Sequence, residues 1–217
     1  MSLIYVDIIQ SFFDYLQGID ILEAFGLIFG LLCVGLLIRE NIYTWPAGII
    51  YVLISFVIFW QQRLYGDLLL HIFFLILNIY GWYYWVKGNS SNSEEVPITR
   101  LRKTDLLYLL FLSFIGILIF GYFLESLPLI FKGLPQASLP YWDSTTSILS
   151  VGAMWLTARK KIENWYLWFI IDILATGIYF YKGIEFYAIL YLVYIVLAIL
   201  GYNAWKKSMI AQGSTNE

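Results

Sequence analysis

Seven blocks of the chain, roughly 20–38, 44–61, 67–86, 105–125, 143–158, 165–181 and 185–205, are dominated by apolar positions. Each approaches the roughly 20 residues that a helix needs to cross a hydrocarbon core of about 30 Å. Backbone polar groups in lipid must find partners within their own segment, so such blocks predict helices rather than open strands. The expected class is an all-α polytopic membrane protein with seven transmembrane helices. Two polar stretches punctuate it: Lys87–Thr104, rich in Ser, Asn and charge, and Pro128–Pro140, with three prolines. Ahead of the first block, Asp7, Gln10, Ser11, Asp14 and Gln17 recur at helical spacing against Leu3, Ile4, Ile8, Ile9, Phe12, Phe13 and Leu16. That alternation predicts an interfacial amphipathic helix over 1–19. It carries no Lys or Arg, unlike the basic start of a secretory signal.

Composition reinforces this reading. Hydrophobic residues make up 61% of the chain and charged residues 13%, against about a quarter charged in soluble domains. A net charge of −2 argues against nucleic acid as a partner. Cys33, the single cysteine, cannot form an internal disulfide and reads as a small buried hydrophobe. One histidine and one cysteine cannot build a His/Cys zinc site. There is no phosphate-binding G-x-x-x-x-G-K-[ST] loop and no G-x-S-x-G or H-E-x-x-H motif. No cofactor and no enzymatic activity are expected.

Basic residues set the expected orientation. Alternate loops place Arg39, Lys87, Arg100, Arg102, Lys103, Arg159, Lys160, Lys161, Lys206 and Lys207 on one side. Only Arg63, Lys132 and Lys182 fall on the other, which accounts for all 13 basic residues. The N-terminus is therefore expected outside and the C-terminus in the cytoplasm.

Sliding the chain on itself by 120 residues pairs Arg39 with Arg159, Trp45 with Trp165, Gly81 with Gly201 and Trp85 with Trp205. These matches predict two parallel three-helix repeats, one of the two transporter plans. The expected units are an interfacial helix over 1–19, a first repeat over 20–86, a linker, connecting helix and outer loop over 87–139, a second repeat over 140–207, and a tail over 208–217. Trp45, Trp85 and Trp205, at the ends of spans, read as a membrane-interface belt.

Ionisable and amide groups at bilayer depth are costly and point to function. On the sixth block Trp165, Trp168, Asp172, Thr176 and Tyr179 fall within about 80° of one another around a helix. The third block does the same with His71, Phe74, Asn78, Trp82 and Trp85. The seventh offers Tyr187, Tyr191, Tyr194 and Tyr202, and the fifth opens with Trp142, Asp143, Ser144, Thr145 and Thr146. These faces suit a flat, polar, cationic ligand, which rings attract by roughly 0.5–2 kcal/mol and polar groups orient. The expected substrate-binding set is Trp165, Trp168, Asp172, Asn78, Trp82, His71, Thr176, Tyr179 and Tyr191. The alternatives are interhelical hydrogen bonding for Asn78 and Asp172, and packing for His71 and the tryptophans.

The runs Leu64-Tyr65-Gly66-Asp67 and Asn78-Ile79-Tyr80-Gly81-Trp82-Tyr83-Tyr84-Trp85 resemble the PnuC family of vitamin transporters. So do Tyr141-Trp142-Asp143-Ser144, Arg159-Lys160, and Glu163-Asn164-Trp165 with Trp168 and Asp172. The resemblance extends over about residues 20–207. It implies a 3+1+3 helix plan related to the SWEET sugar transporters. It also implies facilitated uptake of nicotinamide riboside across a bacterial inner membrane, drawn inward by a cytoplasmic riboside kinase. Thiamine and riboflavin are the alternative cargoes, and a membrane receptor is the alternative class. Where many relatives carry an amide, this chain carries His71 and Asp172. The implied partners are the riboside and the lipid bilayer, with association into a homo-oligomer open to a chain of this size.

Overall fold

The computed structural model describes residues 18–61, 65–87, 96–130 and 138–214. The expected helix over 1–19 lies almost wholly outside the described residues. Among the described residues seven helices follow in order: α1 (Ile21–Ile38), α2 (Thr44–Gln61), α3 (Tyr65–Lys87), α4 (Lys103–Ile130), α5 (Pro140–Ala158), α6 (Asn164–Tyr181) and α7 (Glu185–Ser214). They match the seven apolar blocks within a few residues, except that α4 and α7 run on beyond the apolar stretch at their C-terminal ends. Local chemistry sets several starts. Asp20 accepts a hydrogen bond from the Leu22 N–H at the head of α1, and Pro140 occupies the first turn of α5, where a missing N–H goes unnoticed.

Five helices (α1, α2, α3, α4 and α7) are long and apolar enough to cross a membrane by themselves. The other two, α5 and α6, contain the most buried polar residues: Ser144, Ser150 and Thr157 in α5, Asn164, Asp172 and Thr176 in α6. They are less apolar because protein, not lipid, covers much of their surface. By contrast α4 buries only Ser113, Gly121 and Leu124 along its 28 residues and packs on α5.

α1, α2 and α3 pack in succession, as do α5, α6 and α7. Two seams join these triplets, α3 against α5 and α1 against α7. A shift of 120 residues exchanges the seams. The same shift superimposes the turns after α1 and α5. Glu40 has φ 53° and Lys160 φ 47°, in the left-handed region that non-glycine residues seldom occupy. The Asn41 and Lys161 N–H groups donate back to Leu36 and Leu156 at 2.9 Å each.

Where the two turns meet, four tryptophans fill the core. Trp45 lies on Gly81, and Trp165 on Gly201. Trp45 meets Trp85 edge-on at 5.2 Å, Trp165 meets Trp205 edge-on at 5.6 Å, and Trp85 and Trp205 lie 6.3 Å apart. Trp85 Nε1 donates across the α3/α5 seam to the Ala158 carbonyl at 3.1 Å, and Trp205 Nε1 across the α1/α7 seam to the Leu37 carbonyl at 2.9 Å. The expected interface belt of Trp45, Trp85 and Trp205 is thus corrected: all three are buried, Trp205 completely. The Trp85 and Trp205 indoles donate to carbonyls at the ends of α5 and α1, whereas Trp45 Nε1 has no partner.

The stretch between α3 and α4 is also less solvated than its composition suggests. Val96 and Ile98 are buried, with Ile98 packed into the tryptophan core. Thr99 exchanges backbone hydrogen bonds with Lys160 and Ile162, the Leu101 N–H donates to Glu163, and the Ile98 N–H donates to Gln212 on the extended end of α7. This gathers the turns after α1 and α5, the segment before α4 and the end of α7 at one pole, which carries most of the basic residues. Lys182, paired with Asp143 at 3.1 Å, lies away from this pole at the other end of α6.

Candidate functional site

The polar face of α6 centres on Asp172, 5% exposed. Among the described residues no hydrogen bond reaches its carboxylate oxygens; Thr176 donates only to its backbone carbonyl, at 2.7 Å. A ladder of tyrosines runs along α7 beside it. Tyr179 stacks on Tyr187 and on Tyr191 at 5.3 Å each, and Tyr191 meets Tyr194 at 5.9 Å. Tyr191 and Tyr194 lie within electrostatic reach of Asp172.

The first triplet closes the other side. Gly30 lets the Tyr194 hydroxyl and the Tyr51 ring approach α1, where an added β-carbon would stand 3.1 Å from that hydroxyl. Tyr51 lies 5.8 Å from the His71 ring, which Phe59 and Phe74 also enclose at 4.7 and 5.2 Å. His71 Nδ1 is 2.8 Å from the Asp67 carbonyl. A carbonyl only accepts, so Nδ1 donates. Asn78 Nδ2 donates to the Phe74 carbonyl at 2.8 Å, and Asn78 Oδ1 faces Gly48 beside Cys33. Both buried side chains keep one unpartnered atom, His71 Nε2 and Asn78 Oδ1. Unpaired polar atoms in a protein interior cost roughly 1–3 kcal/mol each; Trp45 Nε1, Trp165 Nε1, Asn164 Oδ1 and Glu185 Oε2 share this state elsewhere in the structure.

Of the expected set, His71, Asn78, Asp172, Tyr179 and Tyr191 therefore meet in one cluster between the triplets. Thr176 adjoins it but spends its hydroxyl on its own helix. Trp165 stands elsewhere, in the tryptophan core on Gly201. Trp168 lies at the edge of that core, with Nε1 donating to Thr157 Oγ1 at 3.3 Å. Trp82 is 41% exposed on the outer face of α3, beside an apolar groove of about 290 Å³ lined by Ile79, Tyr83, Val86 and Lys87. A groove there, or the one on the outside of α4, suits a lipid tail better than a polar cargo. The expected set omits Tyr51, Tyr187 and Tyr194. The first has no flanking polar pattern to reveal it, and its place opposite the α7 ladder comes from packing.

The cluster offers stacking surfaces and hydrogen-bond acceptors for holding a flat polar molecule. No group of three His, Cys, Asp or Glu residues able to hold a metal occurs among the described residues.

The nicotinamide mononucleotide transporter family matches residues 20–207. The chain is 33% identical over 210 residues to the nicotinamide riboside transporter PnuC of Escherichia coli (strain K12), covering 89% of this chain and 88% of that one. It is 24% identical over 198 residues to the riboflavin/roseoflavin transporter RibM of Streptomyces davaonensis, covering 90% and 89%. A crystal structure of the vitamin B3 transporter PnuC shares the fold, with a TM-score of 0.71 at 23% identity, over 94% of this chain and 88% of that one. The resemblance read from the tyrosine- and tryptophan-rich motifs is borne out, and the chain belongs to the nicotinamide mononucleotide transporter family.

Proposed function

We propose that this protein carries nicotinamide riboside across the bacterial cytoplasmic membrane by facilitated diffusion, alternating access to the cluster around Asp172. The observation that carries the reading is the pairing of stacked tyrosines with the buried polar side chains of His71, Asn78 and Asp172, held between two helix triplets. A pyridinium ring fits between aromatic walls, where cation–π attraction adds to stacking. Asp172 balances its charge, and ribose hydroxyls meet His71 and Asn78. The names of the Escherichia coli and Haemophilus influenzae relatives, both nicotinamide riboside transporters, support the choice of cargo. The matching turns at Glu40 and Lys160 support a duplicated triplet, with α4 as the connecting span.

Purified protein in liposomes is expected to show saturable uptake of nicotinamide riboside in preference to thiamine and riboflavin. Tyr191→Ala should weaken binding by about 1–3 kcal/mol, the range for loss of one aromatic stacking partner. Absence of saturable riboside binding would sink the reading. The Streptomyces relative favours riboflavin as the second reading, and flux of that vitamin in the same vesicles separates the two.

The basic pole faces the cytoplasm in this reading, where anionic lipid and the positive-inside bias hold it. A reporter fused to the C-terminus is expected to be active only when it is one that works in the cytoplasm. Activity of a periplasm-dependent reporter there would reverse the orientation.

A further inference from the structure

Arg159 ends α5 at the α3/α5 seam, and three aromatic rings hold it there. Its guanidinium donates to the Tyr80 hydroxyl at 3.0 Å and lies 4.6 Å over the Tyr84 ring and 5.4 Å over the Trp155 ring. Tyr80 and Tyr84 back onto the tryptophan core, and Trp155 is exposed. The residues on either side of Arg159 are fixed as well: the Ala158 carbonyl accepts from Trp85 Nε1, and Lys160 bonds Glu40. We infer that this cage presents the Arg159 guanidinium to the phosphate of one bound anionic phospholipid, whose acyl chain lies along the outer face of α3. The site concerns the bilayer and holds whatever the cargo is.

Charge and depth both favour a phospholipid. A guanidinium carries five N–H donors in a planar fork that matches a phosphate, and Tyr80 occupies one side of it. Arg159 enters none of the ion pairs among the described residues, which are Arg102–Asp105, Lys160–Glu40 and Lys182–Asp143. Ring faces answer its charge, and the remaining N–H groups stay open to an anion. Arg159 caps α5, and Tyr84 lies in the last turn of α3, the level at which helices pass from hydrocarbon to headgroups. The apolar groove of about 290 Å³ along Ile79, Trp82, Tyr83 and Val86 ends at Lys87, whose ammonium stands 5.2 Å over the Tyr83 ring. Residues three and four apart are neighbours on a helix surface, so Tyr80 and Tyr84 adjoin Tyr83 and Lys87. The groove takes a tail, and the two ring-held cations take an anionic headgroup.

The second seam supplies the comparison. Under the shift of 120 residues Tyr80, Tyr84, Trp155 and Arg159 correspond to Leu200, Ala204, Gly35 and Arg39. Leu200, Ala204 and Gly35 offer Arg39 no ring, and an added β-carbon at Gly35 meets nothing within 4 Å. That seam nevertheless builds the same turn, the same buried tryptophans and the same bond from an indole to a helix-end carbonyl. The fold therefore does not require rings around this arginine, and their presence at one seam alone marks a binding site there.

Native mass spectrometry of the full-length protein in a non-ionic detergent tests this, with phosphatidylglycerol, phosphatidylcholine and inorganic phosphate as probes. The wild type is expected to retain one phosphatidylglycerol per chain and to hold phosphatidylcholine more weakly. Arg159→Gln is expected to weaken phosphatidylglycerol binding about tenfold, the worth of a lost hydrogen bond to a charged group. Arg39→Gln is expected to leave it unchanged. Tyr84→Leu keeps the charge and removes one wall, with an expected loss of about threefold. If Arg159→Gln does not fold, Arg159→Lys takes its place: it keeps the charge without the fork, and full affinity in that variant overturns the site. Equal losses in Arg39→Gln and Arg159→Gln would reveal only a diffuse basic pole. Displacement of the lipid by an equal concentration of inorganic phosphate would make this a free-anion site. No retained lipid, with Arg159→Gln changing the oligomeric mass, would show that a second copy of the chain covers this face. Each of these three results overturns the inference and leaves the transport reading intact.

Discussion

Gly81→Ala and Gly201→Ala are each expected to destabilise the folded protein by about 2 kcal/mol, whereas Gly35→Ala and Gly177→Ala change little or stabilise it slightly. All four glycines lie inside helices, where alanine is intrinsically better by about 0.8–1 kcal/mol. The difference lies in what a methyl group meets. At Gly35 and Gly177 it meets nothing within 4 Å, while at Gly81 and Gly201 it enters the six-membered rings of Trp45 and Trp165. Those indoles are 1% and 2% exposed and locked edge-on against Trp85 and Trp205. They have nowhere to retreat, so helix α3 or α7 must move outward, breaking contacts on both sides of a seam. Overpacking of a close-packed interior typically costs about 1–3 kcal/mol, and the rigidity of an indole puts these sites at the upper end. Thermal unfolding of the four variants in one detergent checks this. A Gly81→Ala melting point equal to that of Gly35→Ala would show that the tryptophan core is looser than described.

Lys160→Met is expected to cost a further, separate ~3 kcal/mol, and exchanging the two charges should recover much of it. Lys160 is 2% exposed; its ammonium donates to Glu40 at 3.1 Å and lies 4.5 Å over the Trp85 ring. Glu40 is 14% exposed at the side chain. Removing one partner of such a pair strands the other charge in a poor solvent, which typically costs about 3–5 kcal/mol; the partial exposure of Glu40 sets the lower end. Glu40 and Lys160 occupy equivalent turns of the two triplets with nearly the same φ. The double variant Glu40→Lys/Lys160→Glu can therefore rebuild the bridge with its poles reversed. A double-mutant cycle on unfolding free energy reads the coupling directly. If the exchange variant is no more stable than the sum of its single substitutions, the two turns are not equivalent in environment.

Both predictions concern the pole at which the triplets are tied together. Four side-chain hydrogen bonds between the triplets lie there: Trp85 to Ala158, Trp205 to Leu37, Lys160 to Glu40, and Arg159 to Tyr80 at 3.0 Å. Around the tyrosine ladder rings of the two triplets also meet, Tyr51 and Tyr194 both lying against Gly30. Ring contacts can slide, whereas a buried hydrogen bond is either made or broken.

The seven helices, and the membrane as their solvent, are legible in the sequence because bilayer thickness and backbone hydrogen bonding leave few alternatives. His71, Asn78 and Asp172 stand out for a related reason: a polar group at that depth is retained against a cost. The tryptophans are different. An indole at the end of a span is equally at home among headgroups or in a core, because its apolar ring and single N–H suit both. Sequence position cannot separate Trp82, which faces outward, from Trp85 three residues later, which is buried against Ala158 and Trp205. Only the neighbouring helices decide, by offering Trp85 a carbonyl at the end of α5. The same holds for Tyr51: its chain neighbours say nothing of the tyrosine ladder on α7, and packing across Gly30 places it there. The one-dimensional pattern thus determined which segments leave water and which polar groups leave it at a cost. The tertiary structure decided which aromatic rings hold the two triplets together and which face outward, since that depends on contacts between residues 73 and 168 positions apart.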